Sequence, residues 1–134
     1  MCGQSMNKII LDGSAWIEYL AGTSKGRKVQ NLIQKPDTKV FTTGMITAEV
    51  ITKHLKEGQP IDNSLAALRA ISFLVHVDLQ VGERTAQVYI QQRKKKPRFG
   101  LVDAHVYAAG RAVDATVVTC NFDFSGLSNT MIIQ

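Results

Sequence analysis

The fold is decided by residues 8–20, which read KIILDGSAWIEYL. Residues 9–11 form an unbroken apolar run, which is typical of a strand buried on both faces of a sheet. The run stops at Asp12, and apolar residues then recur at helical spacing behind Ser14, a residue type that can cap a helix. The stretch therefore predicts a central strand with a carboxylate at its C-terminal end, where open α/β sheets bind their ligands.

Length and composition predict a single soluble domain. The chain has 134 residues, of which 45% are hydrophobic and 20% charged. Its apolar runs are far shorter than a membrane span and no signal-peptide pattern is present, so we expect a cytoplasmic protein without membrane contact. Residues 1–5 show no periodic pattern and are expected to be disordered or left over from cloning. The domain is then expected to span residues 6–134.

The basic residues are concentrated in one place. The formal net charge is +5, and one short loop carries five cationic side chains, so the rest of the chain is close to neutral. These five are Arg93, Lys94, Lys95, Lys96 and Arg98. A local cluster of this kind is either an ordinary solvated charge run or a contact surface for a polyanion. Because the loop immediately precedes the helix that carries Asp103, we favour a surface that binds the phosphates of a polyanion such as RNA.

Strands and helices alternate along the remaining chain. Short strands are predicted at residues 40–43, 115–119 and 130–133, with an extended segment at 75–79. Helices are predicted at residues 25–34, 45–55, from 62 or 63 through Leu74, 81–93 and 101–111. Such alternation predicts an α/β fold with a central parallel sheet that is covered by helices.

Four carboxylates are expected to meet at one edge of this sheet. Asp12 ends a strand, Glu49 and Asp103 lie in the first turns of helices, and Asp123 follows the strand at 115–119. Like charges gather only around a compensating cation, and a cluster of oxygen ligands suits Mg²⁺ or Mn²⁺. Such a site activates water and holds a phosphodiester for in-line attack.

Each acid also has an ordinary structural interpretation. Asp12 can cap the first helix, whereas Glu49 and Asp103 can be acids that are favoured by a helix dipole. Asp123 can be a turn residue. Agreement among the four placements favours the cluster over these four separate explanations.

Four short motifs occur in a fixed order. They are an apolar strand ending in Asp12 with Ser14 two residues later, TAEV at 47–50, GLVDA at 100–104 and TCNFDF at 119–124. In this order they resemble the motifs of the PIN-domain family, and most closely those of VapC-type toxin ribonucleases. The resemblance extends over nearly the whole chain and implies a PIN-like three-layer α/β/α fold.

The resemblance also implies an activity, namely a Mg²⁺- or Mn²⁺-dependent endoribonuclease that cleaves RNA phosphodiesters with metal-activated water. Asp12 and Asp103 would be the nearest metal ligands. Glu49 and Asp123 would hold metal-bound waters or a second ion. These four residues are therefore the candidate catalytic and metal-binding set.

Supporting roles follow from the same resemblance. Ser14 and Thr119 would hold the acids by hydrogen bonds. Many relatives carry an acid where this chain has Asn121, and its nearest carboxylate is Asp123, so either residue can complete the site.

Partners are likewise implied by the resemblance alone. An RNA substrate, a homodimer and a small antitoxin protein that threads into the acidic groove are expected. Apolar residues of the early helices, such as Ile17, Leu32 and Ile33, can supply a dimer face.

The sequence leaves two other functions to consider. A PIN-fold RNA-binding or scaffolding module with weak or no catalysis is the main alternative, and Asn121 favours it. A phosphotransferase of the haloacid dehalogenase type would use Asp12 as its nucleophile. That chemistry requires a second Asp two residues later, where this chain has Ser14.

Overall fold

The computed structural model describes residues 7–134, which form a three-layer α/β/α fold. Within this range the strands are β1 (Asn7–Leu11), β2 (Thr38–Thr42), β3 (Ser72–Leu74), β4 (Thr116–Thr119) and β5 (Thr130–Ile132). The helices are α1 (Gly13–Ala21), α2 (Ser24–Ile33), α3 (Gly44–Lys56), α4 (Asp62–Ile71), α5 (Leu79–Arg93) and α6 (Leu101–Ala112), and a 3₁₀ turn covers Phe122–Phe124. The predicted architecture is thus confirmed.

All strand pairs are parallel, and the strand order is β3-β2-β1-β4-β5. The central position of β1 explains its unbroken apolar run, since Ile10 and Leu11 are fully buried. Ile10 pairs with Phe41 of β2 on one side and with Val117 of β4 on the other. Right-handed crossovers place α1–α4 on one face of the sheet and α5 and α6 on the other.

Helix α6 packs closely on the sheet because it carries a glycine where it crosses β1 and β4. A Cβ atom on Gly110 would lie 3.0 Å from a methyl carbon of Ile10 and 3.4 Å from one of Val117. On helix α1, Trp16 is fully buried in the same hydrophobic core. The glycine therefore lets the last turn of α6 lie directly on β1 and β4.

The strand order creates a crevice beside β1. The chain first winds outward from β1 through β2 to β3, and then crosses the sheet by α5 and α6 to β4. Connections that leave in opposite directions open a cleft at the C-terminal ends of β1 and β4. Asp12 directly follows β1, and Thr119 ends β4. The topology itself thus places Asp12 in the cleft.

Asp12 caps α1, as one of its sequence interpretations expected, and Thr23 caps α2. The side chain of Asp12 accepts a hydrogen bond from Ala15 N at 2.9 Å, and Thr23 accepts one from Gly26 N at 3.0 Å. Ser14, the other cap candidate for α1, and Ser24, which can also cap α2, are already helical. Only a residue with extended backbone just before the first turn can cap in this way, and Asp12 and Thr23 have that conformation.

The prediction of a helix extending through Leu74 is wrong. Helix α4 ends at Ile71, where Ser72 Oγ donates to Leu68 O at 2.5 Å. Ser72–Leu74 then pair with β2 as an edge strand, and Leu74 is 75% exposed. Three-residue apolar spacing does not distinguish a helix end from such a short edge strand.

The predicted apolar face of α3 is also partly wrong. The sequence of this helix predicts an apolar side with Ile46, Val50 and Leu55, but Leu55 is 61% exposed. Its neighbour His54 is buried instead, and its Nδ1 lies 3.0 Å from Ser64 Oγ of α4. A polar contact between two helices has therefore replaced an apolar one.

The remaining sequence predictions concern the N-terminal residues and membrane-spanning segments. The expectations for residues 1–5, and for a domain beginning at residue 6, lie outside the described residues. Among residues 7–134, every helix is too short or too polar to cross a membrane.

We expect Gly26→Ala to destabilise the protein by about 1–3 kcal/mol, because the new Cβ atom would overlap the backbone carbonyl of Glu18. This overlap would separate α1 from α2. The control is Gly82→Ala in α5, where a Cβ atom meets no atom within 4 Å, and helix propensity predicts a gain of up to about 1 kcal/mol. Urea unfolding of both variants measures the two effects. Equal stabilities would contradict the close packing of α1 on α2.

Candidate active site

Asp12 is buried in the crevice and is held by hydrogen bonds from two sides. It is only 4% exposed. From α1, its Oδ1 accepts from Ser14 Oγ at 2.7 Å and from Ala15 N at 2.9 Å. From β4, its Oδ2 accepts from Thr119 Oγ1 at 2.5 Å. The carboxylate therefore has a fixed orientation: Oδ1 uses both of its lone pairs in these contacts, and Oδ2 keeps one free.

Ser14 and Thr119 also bind the chain that leaves β4. Ser14 Oγ accepts from Cys120 N at 2.9 Å, and Thr119 Oγ1 accepts from Asn121 N at 2.9 Å. Both residues, predicted to support the acids, thus contact Asp12 and the segment after β4 at the same time.

Glu49 reaches the cluster from α3. Its carboxylate accepts a hydrogen bond from the backbone N–H of Gly13, the residue next to Asp12. A Cβ atom on Gly13 would overlap Glu49 Oε1, so the absence of a side chain there leaves room for this carboxylate. Glu49 is otherwise open to solvent.

Asp103 lies in the first turn of α6 and is half-buried. Its Oδ2 accepts from the backbone N of Gly100 at 2.8 Å, which satisfies a donor at the start of the helix. The other carboxylate oxygen takes no part in this contact.

The three carboxyl groups have raised pKa values. Burial is the main cause for Asp12, and it outweighs the hydrogen bonds from Thr119, Ser14 and Ala15 that lower its pKa. Burial and the charges of Asp12 and Asp103 raise the pKa of Glu49. Burial, and then the charge of Asp123, raises the pKa of Asp103. Each group is therefore destabilised as an anion, partly by the others.

This donor set fits a hard divalent cation. All four acids offer oxygen ligands, and the raised pKa values of Asp12, Glu49 and Asp103 reflect burial and the charge of neighbouring carboxylates, which a bound cation would offset. Within residues 7–134, no three His, Cys, Asp or Glu side chains are grouped closely enough to hold an ion by direct contact. Mg²⁺ usually binds one or two carboxylates and keeps several waters, which is compatible with this spacing.

The residues after β4 have different contacts. Asn121 Oδ1 accepts from Asp123 N at 2.9 Å and thereby caps the 3₁₀ turn. The carboxylate of Asp123 is close enough to Asp103 to raise its pKa. Asn121 thus stabilises the turn that carries Asp123, while the choice between them as a metal ligand stays a prediction.

The cations of the basic loop form two groups, which differ in their contacts with the rest of the protein. Arg93 donates to Tyr89 Oη at 2.9 Å, and Lys96 donates to Asp123 O at 3.0 Å. The side chains of Lys94, Lys95 and Arg98 are exposed. Within the described residues, the side chains of these three cations form no hydrogen bond or ion pair, and RNA binding by the five-residue set stays a prediction.

Two features of the site were missed by the sequence analysis. His105 Nε2 lies 2.8 Å from Thr43 Oγ1 and so joins the helices that carry Asp103 and Glu49. Lys53 and Lys56 line an open groove of about 500 Å³ together with Glu49. Local spacing contains no signal for the first contact. The positions of the lysines, four and seven residues after Glu49, could have indicated the second.

Comparisons with solved structures agree with this fold. A toxin–antitoxin complex from Klebsiella pneumoniae matches with a TM-score of 0.70 at 16% identity, over 94% of this chain and 98% of that one. VapBC2 from Rickettsia felis, bound to a promoter DNA fragment, matches with a TM-score of 0.70 at 14% identity, over 93% of this chain and 96% of that one. VapC20 from Mycobacterium tuberculosis, a sarcin–ricin loop cleaving toxin, matches with a TM-score of 0.65 at 21% identity, over 87% of this chain and 91% of that one.

Sequence comparisons identify the family. Curated proteins give no match to the chain. The family model described as PIN domain matches residues 9–129. This range begins in β1, includes all four acids and ends just before β5. The chain belongs to the PIN domain family.

Proposed function

We propose that this protein is a divalent-metal-dependent endoribonuclease of the VapC toxin type. The observation that carries the proposal is the buried, hydrogen-bonded Asp12 in the β1–β4 crevice, with Glu49 and Asp103 near enough for carboxylate charges to raise pKa values among them. A divalent ion, when bound, would offset this repulsion, activate water and polarise a phosphodiester. Membership of the PIN domain family and the toxin neighbours support the same function.

The protein's own residues prepare the site. Asp12 and Asp103 would hold the ion, since hydrogen bonds to their other lone pairs fix both carboxylates. Glu49, anchored on Gly13, and Asp123, on the 3₁₀ turn, would orient water at the edge of the cluster. Mg²⁺ or Mn²⁺ would suit these oxygen ligands.

RNA would approach over two basic surfaces. The first is the exposed part of the loop, with Lys94, Lys95 and Arg98. The second is the groove beside Glu49, where Lys53 and Lys56 are exposed. Both would place phosphates beside the acids, which alone would repel them.

Partners are proposed on the same basis. Two structural neighbours are toxin–antitoxin complexes, so we propose a small antitoxin as the inhibitory partner in the cytoplasm. A homodimer stays a prediction. Ile17, Leu32 and Ile33, the predicted dimer face, are half-buried and pack against the core, which limits the apolar surface they offer.

A second candidate is an RNA-binding module without catalysis. The presence of Asn121, whose oxygen caps the turn, leaves the segment after β4 with one acid, Asp123. Dependence of cleavage on a divalent ion separates this module from a nuclease.

We expect Asp103→Asn to lower cleavage of a mixed single-stranded RNA pool by at least about 100-fold, because the substitution removes charge where the ion and phosphate would bind. The wild-type protein should cleave with Mg²⁺ or Mn²⁺ and not with EDTA. Glu83→Gln, an exposed acid on α5, is the matched control and should retain full activity.

Two results would contradict the nuclease proposal. One is equal cleavage by the wild-type protein and the folded Asp103→Asn variant. The other is binding of RNA without any cleavage in either metal, which would favour the RNA-binding module.

Without metal, we expect Asp103→Asn to melt a few degrees higher than the wild-type protein at pH 7. Folding raises the pKa of Asp103, so ionisation of this group opposes folding. The penalty is absent below the unfolded-state pKa of about 3.9, grows as pH rises through the folded value, and is complete above it. Thermal melts in EDTA should therefore show a difference that is largest near neutral pH and vanishes at low pH.

Asp62→Asn is the control for this stability effect. Asp62 is exposed in the first turn of α4, where its charge favours the helix, so the substitution should not raise the melting temperature. If Asp103→Asn melts at or below the wild-type temperature at pH 7, the proposed repulsion at the site is wrong.

We expect Lys94→Gln/Lys95→Gln to reduce the slope of log K against log salt by about 1.4 for single-stranded RNA, since two phosphate contacts are lost. Anisotropy titrations in EDTA measure the slope without cleavage. The control, Lys8→Gln/Lys35→Gln, removes equal charge from a cavity at the opposite edge of the sheet. Equal slopes in the two variants would exclude the loop as an RNA contact.

A further inference from the structure

Lys96 differs from the other lysines of the basic loop because its ammonium group is fully engaged. Nζ donates to Asp123 O at 3.0 Å, to Ser125 O, and to Ser125 Oγ at 3.2 Å. These contacts use all three N–H donors of a lysine. Lys95 is exposed and its side chain forms no hydrogen bond or ion pair with residues 7–134. Lys96 therefore has an internal role in the structure, whereas its predicted contact with RNA stays a prediction.

The contacts of Lys96 join the two segments that carry the last two acids. Its own loop leads directly into α6 and Asp103, while Asp123 and Ser125 belong to the turn after β4. An apolar contact joins the same segments, because the fully buried rings of Phe99 and Phe124 lie 5.5 Å apart, edge to face. One polar and one apolar contact thus connect the loop to the turn.

The hydrogen bonds of the turn itself are local in sequence. They are the Asn121 cap on Asp123 N at 2.9 Å and the backbone bonds from Phe124 N to Asn121 O at 3.2 Å and from Ser125 N to Phe122 O at 2.9 Å. Such 3₁₀ hydrogen bonds have poor geometry, and local bonds do not fix the turn relative to the loop before α6. The buried Phe124 ring holds the turn against that loop at one point. Lys96 binds the carbonyls on both sides of Phe124 and so adds two more.

We infer that Lys96 is a positioning residue, whose ammonium group holds the turn at Asp123 against the loop that leads into α6 and so sets the separation of the Asp103 and Asp123 carboxylates. The effect on catalytic rate rests on the proposed nuclease function, whereas the effect on the turn does not. Lys96 acts on backbone carbonyls and contacts neither carboxylate, so it positions Asp123 without neutralising it.

Amide hydrogen exchange tests the effect on the turn without reference to activity. In Lys96→Met, protection at residues 124–127 should fall at least about tenfold, because hydrogen bonds from a charged donor are lost. Lys95→Met removes the same charge from the same loop and should leave this protection unchanged. Exchange in β1 should be equal in all proteins, which shows that the domain remains folded.

Single-turnover and steady-state cleavage of RNA test the effect on rate. Both methionine variants lose one positive charge and should raise KM to a similar extent. Only Lys96→Met should also lower kcat, by about 10–100-fold, because Asp123 is displaced. Lys96→Arg keeps a cation with several N–H donors and should restore part of kcat. A general loss of stability would not produce this separation of kcat from KM.

Three outcomes distinguish the possibilities. Faster exchange with lower kcat in Lys96→Met alone supports the inference in full. Equal exchange in the two methionine variants overturns it, whatever the activities are. Absence of cleavage by the wild-type protein overturns the proposed nuclease, while the exchange comparison still decides whether Lys96 holds the turn.

Discussion

The hydrogen bond from Thr119 to Asp12 joins the two strands between which the site is built. A carboxylate that is 96% buried would normally be unfavourable as an anion, and donors from both α1 and β4 compensate for the lost water. This compensation requires β4 to lie beside β1, which only the crossover through α5 and α6 provides. The buried acid and the strand order are therefore mutually dependent.

The other acids increase the unfavourable charge that surrounds Asp12. Helix N-termini offer partial compensation, because Asp103 and Glu49 accept backbone N–H groups near the starts of α6 and α1. The carboxyl pKa values nevertheless stay raised, so the metal-free protein retains electrostatic strain at this edge. Proteins commonly retain such strain where a functional site needs it, at the expense of stability.

Local sequence patterns predicted most of the fold, and they placed Asp12, Glu49 and Asp103 at the same edge of the sheet. Residues 9–12 indicated both the central strand and its terminal carboxylate, because burial on two faces leaves only apolar side chains until the strand ends. Contacts between distant segments could not be predicted in the same way. His105 meets Thr43 across 62 positions and Lys96 meets Asp123 across 27, and no period in the sequence contains either distance. The short edge strand at 72–74 was missed because its apolar spacing continued that of α4.

The four acids differ in how their positions are determined. Asp12 caps α1, Glu49 lies in the second turn of α3 and Asp103 in the first turn of α6. These helices pack on the sheet, so the core fixes all three acids. Asp123 lies on a three-residue turn whose cap, Asn121, has an amide where an acid would add charge. An acid at position 121 would add a fifth negative charge to the site and increase the repulsion. The amide of Asn121 adds no charge and orders the turn by capping it. The segment after β4 therefore gains order from Asn121 and Lys96, and it supplies its negative charge through Asp123.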